Sequence, residues 1–155
     1  MSDEPLPPAE LAERLADVYL LVGPLYRRVL RKVESGEAIE GVGAGVRAVL
    51  DLLRLNGPMT VPQMGRAQAL SRQFVQRMVN EAAQRGLVVA EPNPAHRRSS
   101  LIRLTETGAA VIGAVIAREH ALLGQVGGDL TRADVDACVK VLSRMLDALA
   151  DVDVD

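Results

Sequence analysis

Two short helical segments stand side by side within residues 60–86, and their start and stop signals constrain the fold more than any other feature of the sequence. Thr60 is a suitable N-cap for a helix over about 61–68. Ser71 is an equally suitable N-cap for a second helix, which runs from about 72 to 85 and stops at a glycine. Two short helices joined by so tight a turn predict a helix-turn-helix.

The residues after this pair of helices favour a β-hairpin. Leu87-Val88-Val89 is a short apolar run, and apolar residues return between Ser99 and Leu104. The connection from Pro92 to Arg98 is basic and proline-rich, and it is longer than a tight two-residue turn. A hairpin in this position would form the wing of a winged helix-turn-helix.

Apolar residues recur at helical spacing through most of the remaining chain, which predicts four further helices. These helices cover about 9–33, 46–55, 106–126 and 132–149, with a loop over 34–45 and a kink at Gly23-Pro24. The predicted fold is mainly α-helical with one small β-hairpin, and residues 9–150 form a single domain in which 46–105 are the winged lobe. Residues 1–8 are expected to be a disordered tail and residues 151–155 an acidic one.

Composition excludes several classes of protein. Aromatic residues make up only 2% of the 155 residues, so the core must come from aliphatic side chains packed between helices. No apolar run approaches the roughly 20 residues of a membrane span, and the N-terminus lacks the pattern of a secretory signal. The single cysteine, Cys138, cannot form an internal disulfide. We therefore expect a cytoplasmic protein that is not associated with membranes.

Charge is distributed unevenly, although the formal net charge is only −2. Residues 52–103 contain eight arginines and two acids, a net charge of +6, whereas the remainder carries 10 basic and 18 acidic residues, a net charge of −8. A basic middle between acidic flanks is typical of a module that faces DNA. Clustering of arginines on a solvated face is the alternative.

Polar and apolar side chains separate cleanly on a helical projection of the second short helix. The side that must pack on the neighbouring helix carries Val75, Met78, Val79 and Ala82, and the opposite side carries Gln73, Gln76, Arg77, Asn80 and Gln84. Glutamine and asparagine can form bidentate hydrogen bonds to adenine, and arginine to guanine. We expect this polar side to contact bases or phosphates and Ser71 to bind a phosphate. Phe74 is expected to pack on the neighbouring helix rather than on a thymine methyl.

The tip of the hairpin is the second candidate for contact with DNA. His96, Arg97 and Arg98 stand beside two prolines and form a stiff, positively charged turn. An arginine there could enter a narrow minor groove, where the potential is most negative. The alternatives are a solvated turn or an arginine paired with an acid of the same chain.

Together these features resemble the MarR family of bacterial transcription regulators. The similar stretch runs from about Val49 to Ile112 and includes NGPMTVPQMGRAQALSRQFVQRMVNEAAQRGLVV and NPAHRRSSLIRLTETG. Its most specific parts are the Ser-Arg opening of the recognition helix, the Gly-Leu-Val after it, and the Arg-Arg wing followed by Leu-Thr-x-x-Gly. The resemblance adds Arg72 to the expected DNA contacts.

The resemblance also implies a homodimer in which helices over 9–45 and 106–150 interlock. A two-fold dimer would bind a near-palindromic operator on double-stranded DNA, and such proteins commonly act as repressors that a small ligand releases. Family wings usually read Asp-Pro-x-Asp-Arg-Arg, whereas Asn93 and His96 replace both aspartates here. The change makes the tip more positive and leaves the geometry of the wing open.

Candidates for a ligand, metal or catalytic site are few. Many members of the family respond to aromatic ligands at the junction of the dimer helices and the DNA-binding lobe, and Tyr19, Tyr26 and His120 are the only candidates on these helices. A core or surface role explains each of them at least as well. Cys138 lies in an apolar stripe and is expected to be buried and inert. The glycine-rich segment 41–45 is a weak match to a phosphate-binding turn. No metal, cofactor or enzymatic activity is expected.

The sequence therefore predicts a sequence-specific DNA-binding transcription regulator. Two alternatives stay open: a winged-helix module that docks onto another protein, and a ligand-binding dimer that does not bind DNA. The scarcity of aromatic residues disfavours the docking module, because protein–protein hot spots are rich in them.

Overall fold

The structure, a computed structural model, describes residues 4–34 and 42–150, and these contain six α-helices and one two-stranded antiparallel sheet. In chain order the elements are α1 (Pro8–Glu34), α2 (Ala44–Asn56), α3 (Val61–Gln68), α4 (Arg72–Gln84), β1 (Val88–Glu91), β2 (Leu101–Leu104), α5 (Glu106–Leu123) and α6 (Arg132–Ala148). Contacts divide the chain into two units, residues 1–39 and 40–155. No helix within the described ranges has both the length and the apolar composition that a membrane crossing requires.

Side-chain caps start α3 and α4 at the predicted positions. The Oγ1 atom of Thr60 accepts a hydrogen bond from the backbone N–H of Gln63 at 3.3 Å, and the Gln63 side chain accepts one from the Thr60 N–H at 2.9 Å. The Oγ atom of Ser71 accepts the N–H of Phe74 at 3.2 Å. Ala69, with φ of 51°, turns the chain between the two helices. The helix-turn-helix therefore follows from hydrogen bonds that each span only three residues.

The hairpin closes one side of the winged lobe. Val88 pairs with Leu104 and Glu91 with Leu101. Ile102 also exchanges two backbone hydrogen bonds with Met59, at 3.1 and 2.8 Å, which ties the sheet to the chain just before α3. The fully buried side chains come from α2, α3, α4 and α5, and the largest are Leu50, Met64, Ile112, Val46 and Val75. The core thus lies between these helices and the inner face of the hairpin.

A threonine and a glycine join the hairpin to α5. Thr105 caps α5 by accepting the N–H of Gly108 at 3.0 Å, and its hydroxyl donates to the carbonyl oxygen of Gly86 at 2.6 Å. The backbone of Gly108 lies so close to the carbonyl of Leu87 that a Cβ atom would overlap it. The Thr-x-x-Gly pattern is therefore required by a close approach of α5 to the chain before β1.

Two helix ends differ from the predictions. α2 begins at Ala44 rather than Val46, so Gly45 lies in its first turn, where a Cβ atom would collide with the side chain of Met78. Gly45 thus permits close packing of α2 on α4, which explains this glycine without a phosphate-binding turn; Gly41 lies outside the described residues. α5 ends at Leu123, three residues earlier than predicted.

The two terminal helices expose apolar side chains. α1 continues through Pro24, and the kink expected there stays a prediction. On α1 the large exposed apolar residues are Leu11, Tyr19, Leu20, Leu21, Val22, Leu25 and Tyr26, and on α6 they are Val135, Val139 and Leu146.

The prediction that Cys138 is buried was wrong: the thiol is exposed, because this chain buries no residue of α6. An apolar stripe predicts that one face of a helix is buried, but it does not show that residues of the same chain bury it.

Candidate nucleic-acid interface

α4 presents the predicted polar face to solvent. Its apolar residues Val75, Val79 and Ala82 are buried, whereas Gln73, Gln76, Arg77, Asn80 and Gln84 are exposed. Because Oγ of Ser71 accepts the Phe74 N–H, the hydroxyl hydrogen of Ser71 stays available to a phosphate oxygen at the positive end of the helix.

Four of the predicted contact residues on α4 line a groove between this helix and the hairpin. The groove has a volume of about 500 Å³. On the α4 side its polar lining consists of Arg72, Gln73, Gln76 and Asn80, and on the hairpin side of Arg98, Ser99 and Ser100. None of the described residues that line it carries a carboxylate, and every polar side chain in this lining can donate a hydrogen bond. This donor-rich surface suits an anionic or acceptor-rich partner.

Ser99 and Ser100 were not predicted to belong to the site. The sequence shows two hydroxyl residues directly after the wing arginines, which is a usable signal for phosphate contact. Their position opposite α4 depends on how the two strands pair, and the long connection between the strands does not determine this pairing from the sequence.

Arg77 and Phe74 lie on the other flank of α4. Cζ of Arg77 is 5.4 Å from the centroid of the Phe74 ring, within range of a cation–π contact. Phe74 is half-buried, its Cζ lies 3.3 Å from the position of a Cβ atom on Gly45 of α2, and it lines a small cavity together with Ala48 and Leu52 of that helix. The prediction that Phe74 packs on the neighbouring helix is confirmed. Arg77 is exposed but does not line the groove.

Asn93 organises the turn that the sequence left open. Its side-chain Oδ1 accepts the N–H of Ala95 at 3.1 Å, and its backbone carbonyl accepts the N–H of His96 at 3.1 Å. An asparagine oxygen can make this local bond as an aspartate does. The replacement of aspartate at this position therefore keeps the turn while it removes a negative charge.

The arginines of the hairpin, Arg97, Arg98 and Arg103, differ in whether they form a salt bridge. Nε of Arg103 lies 2.6 Å from Oε1 of Glu91, so Arg103 is paired across the hairpin. Within residues 4–34 and 42–150, no carboxylate forms a salt bridge with Arg97 or Arg98. Arg98 lines the groove, whereas Arg97 and His96 are exposed outside it.

An ionic cluster joins the winged lobe to α5. Arg47 on α2 forms a salt bridge with Glu119 on α5, and its Nε lies 3.3 Å from Oδ2 of Asp51. Burial opposes the charge of Arg47, but the hydrogen bond and charge of Glu119, with those of Asp51, outweigh it and raise the pKa of the guanidinium. The cluster fixes α5 against α2.

The candidate ligand residues lie on the long helices α1 and α5. Tyr19 and Tyr26 are exposed on α1, with 69% and 57% of their surfaces accessible. His120 is exposed near the end of α5. Each remains a candidate by position alone.

Known proteins are similar to this chain in sequence. Residues 41–99 match a family model described as MarR family. An uncharacterised protein of Mycobacterium tuberculosis is 34% identical over 142 residues, which cover 90% of this chain and 94% of that protein. The HTH-type transcriptional repressor NicR of Pseudomonas putida is 29% identical over 136 residues, covering 85% and 86%.

Solved structures confirm the predicted fold class. A MarR family transcription regulator is 33% identical with a TM-score of 0.72, covering 92% of this chain and 95% of that one. BpsR of Bordetella bronchiseptica, whose DNA binding is regulated by 6-hydroxynicotinic acid, is 25% identical with a TM-score of 0.67, covering 84% and 93%. A mutant MarR from E. coli complexed with operator DNA is 20% identical with a TM-score of 0.67, covering 86% and 96%; at this identity the likeness shows the fold alone.

Proposed function

The chain belongs to the MarR family of transcription regulators, and we propose that it is a cytoplasmic homodimeric repressor that binds a near-palindromic operator and leaves it when a small ligand binds. The observation that carries the DNA-binding part is the groove between α4 and the hairpin. Its lining combines amide side chains, which can read base edges, with arginine and serine side chains, which can hold phosphates, and includes no carboxylate from the part of the chain that the structure describes.

The two sides of the groove suit different parts of a duplex. α4 exposes one polar face, and Ser71, Arg72 and Gln73 at its N-terminal end are at the surface, so this end can approach the bases of a major groove. Arg97 and Arg98 extend from the turn between the strands, where they can reach the adjacent backbone or minor groove. The described residues that line the groove include two arginines and no carboxylate, so this surface can attract DNA although the net charge of the chain is −2.

Exposed apolar residues on the terminal helices support the homodimer. Monomeric proteins rarely leave large contiguous apolar patches in water, yet α6 exposes Val135, Val139 and Leu146, at 51%, 57% and 73% of their surfaces. A second copy of the chain would cover such residues and, by two-fold symmetry, pair the two α4 helices. The name of the Pseudomonas putida relative supports repression, and the regulation of BpsR by 6-hydroxynicotinic acid supports release by a small ligand. Tyr19, Tyr26 and His120 are the residues proposed to contact an aromatic ligand.

Selection of random duplex DNA by the purified protein tests the proposal, with molar mass measured by light scattering. Recovery of a two-fold symmetric motif by a dimer is the expected result. A folded dimer that retains no motif would contradict the DNA-binding function and favour a protein-docking module or a ligand-binding dimer. A salt titration distinguishes DNA binding from both alternatives, because each phosphate contact adds about −0.9 to the slope of log K against log salt concentration.

A further inference from the structure

Two amide side chains on the groove face of α4 are joined by a hydrogen bond. Nε2 of Gln76 donates to Oδ1 of Asn80 at 2.9 Å. The two residues are one helical turn apart, both are exposed, and both line the groove. We refer to Gln76 and Asn80 as the amide pair.

The hydrogen bond determines which groups each amide has left for a partner. Oδ1 of Asn80 faces Gln76, so the NH₂ group on the other arm of the planar amide remains to donate. Gln76 keeps its carbonyl oxygen and a second N–H, which form an adjacent acceptor and donor. Adenine displays the complementary set in the major groove, an N6 donor beside an N7 acceptor.

We infer that Gln76 reads an adenine through a bidentate contact while Asn80 orients Gln76 and donates to an acceptor on a neighbouring base. The inference rests on the proposed DNA-binding function and specifies its sequence preference. The charged residues of the groove leave the base contacts to the amide pair. Arg72 at the start of α4 and Arg98 on the hairpin supply positive charge for the phosphates. No carboxylate in the lining competes for the amide donors.

Replacing single atoms of the selected operator tests the adenine contact. In 7-deazaadenine the N7 acceptor is a carbon, so the contact loses one of its two hydrogen bonds. With the unaltered protein, this change at one symmetric pair of adenines should raise Kd about tenfold, within the roughly 5- to 150-fold range of a bidentate contact. Gln76→Ala should raise Kd for the natural operator by a similar factor and should be insensitive to 7-deazaadenine at those positions.

Gln84→Ala is the matched control, since Gln84 is an exposed amide on the same helix that does not line the groove. It should keep the response to 7-deazaadenine. Asn80→Ala removes the residue that orients Gln76, so the losses in Gln76→Ala and Asn80→Ala should combine less than additively in the double variant. Thermal melting verifies that each variant is folded.

Two results would overturn the inference. If Gln76→Ala responds to 7-deazaadenine as the unaltered protein does, Gln76 does not read the adenine, although a symmetric motif would still support DNA binding. If the unaltered protein selects no motif, the proposed function fails and the inference fails with it.

Discussion

Arg47 on α2 and Glu119 on α5 form an ion pair whose side chains are only 14% and 21% exposed. Because water screens so shielded a pair weakly, the attraction between the two charges is stronger than in a surface ion pair, and loss of one partner would leave the other charge partly buried. The same guanidinium also contacts Asp51, 3.3 Å from Nε, so one arginine compensates two carboxylates.

Replacing Arg47 should therefore destabilise the fold. Arg47→Met leaves the carboxylates of Asp51 and Glu119 half-buried without this arginine, and we expect the free energy of unfolding to fall by about 1–3 kcal/mol. Urea denaturation at neutral pH measures the change. Arg54→Met is the control, since Arg54 is 42% exposed and its Nε lies 3.8 Å from Asp51; it should cost less than about 0.5 kcal/mol. Equal losses in the two variants would contradict a special role for Arg47.

Two glycines of α5 should respond oppositely to alanine. A Cβ atom on Gly108 would overlap the carbonyl of Leu87, so Gly108→Ala should lower the stability by at least about 2 kcal/mol. A Cβ atom on Gly113 meets nothing within 4 Å, so Gly113→Ala should raise it by about 0.5–1 kcal/mol through helix propensity. Thermal unfolding measures both. A Gly108→Ala protein as stable as the parent would refute the close approach.

The wing arginines should contribute mainly non-specific affinity for DNA. Replacing both Arg97 and Arg98 by alanine removes two arginines from each subunit of the dimer, so it should weaken binding to all duplexes and make the slope of log K against log salt less negative by about 2–4. Fluorescence anisotropy across a salt series measures this. Arg103→Ala, which removes an arginine already paired with Glu91, should leave the slope unchanged. Unaltered affinity in the double variant would eliminate the wing contact.

Arg77 should act on a base rather than on the backbone. Arg77→Ala is expected to cost about 1–3 kcal/mol of binding free energy and to relax selectivity at one symmetric pair of positions. Arg77→Lys keeps the charge but not the bidentate geometry, so it should not restore that selectivity. Selection experiments with both variants measure the effect. Full rescue by lysine, with equal losses on all sequences, would indicate a phosphate contact instead.

Much of the winged lobe could be predicted because the residues that start its helices and divide their faces lie close together in the sequence. The caps of Thr60 and Ser71 act on the N–H groups three residues further along, so the starts of α3 and α4 can be read from short stretches of sequence. The helical period likewise separates the buried side of α4, around Val79, from the exposed side that carries Gln76. The amide-rich face was predicted for this reason.

The sequence by itself determined the elements, their order and the polar face of α4, since these depend on residues within one or two turns of each other. Only the tertiary structure decided which side chains meet across elements. It paired Arg103 rather than Arg98 with Glu91, set Gly45 against Met78, joined Arg47 to Glu119 and left Cys138 exposed. Such contacts depend on how the hairpin folds back and how closely helices approach, and the packing of the whole core sets both.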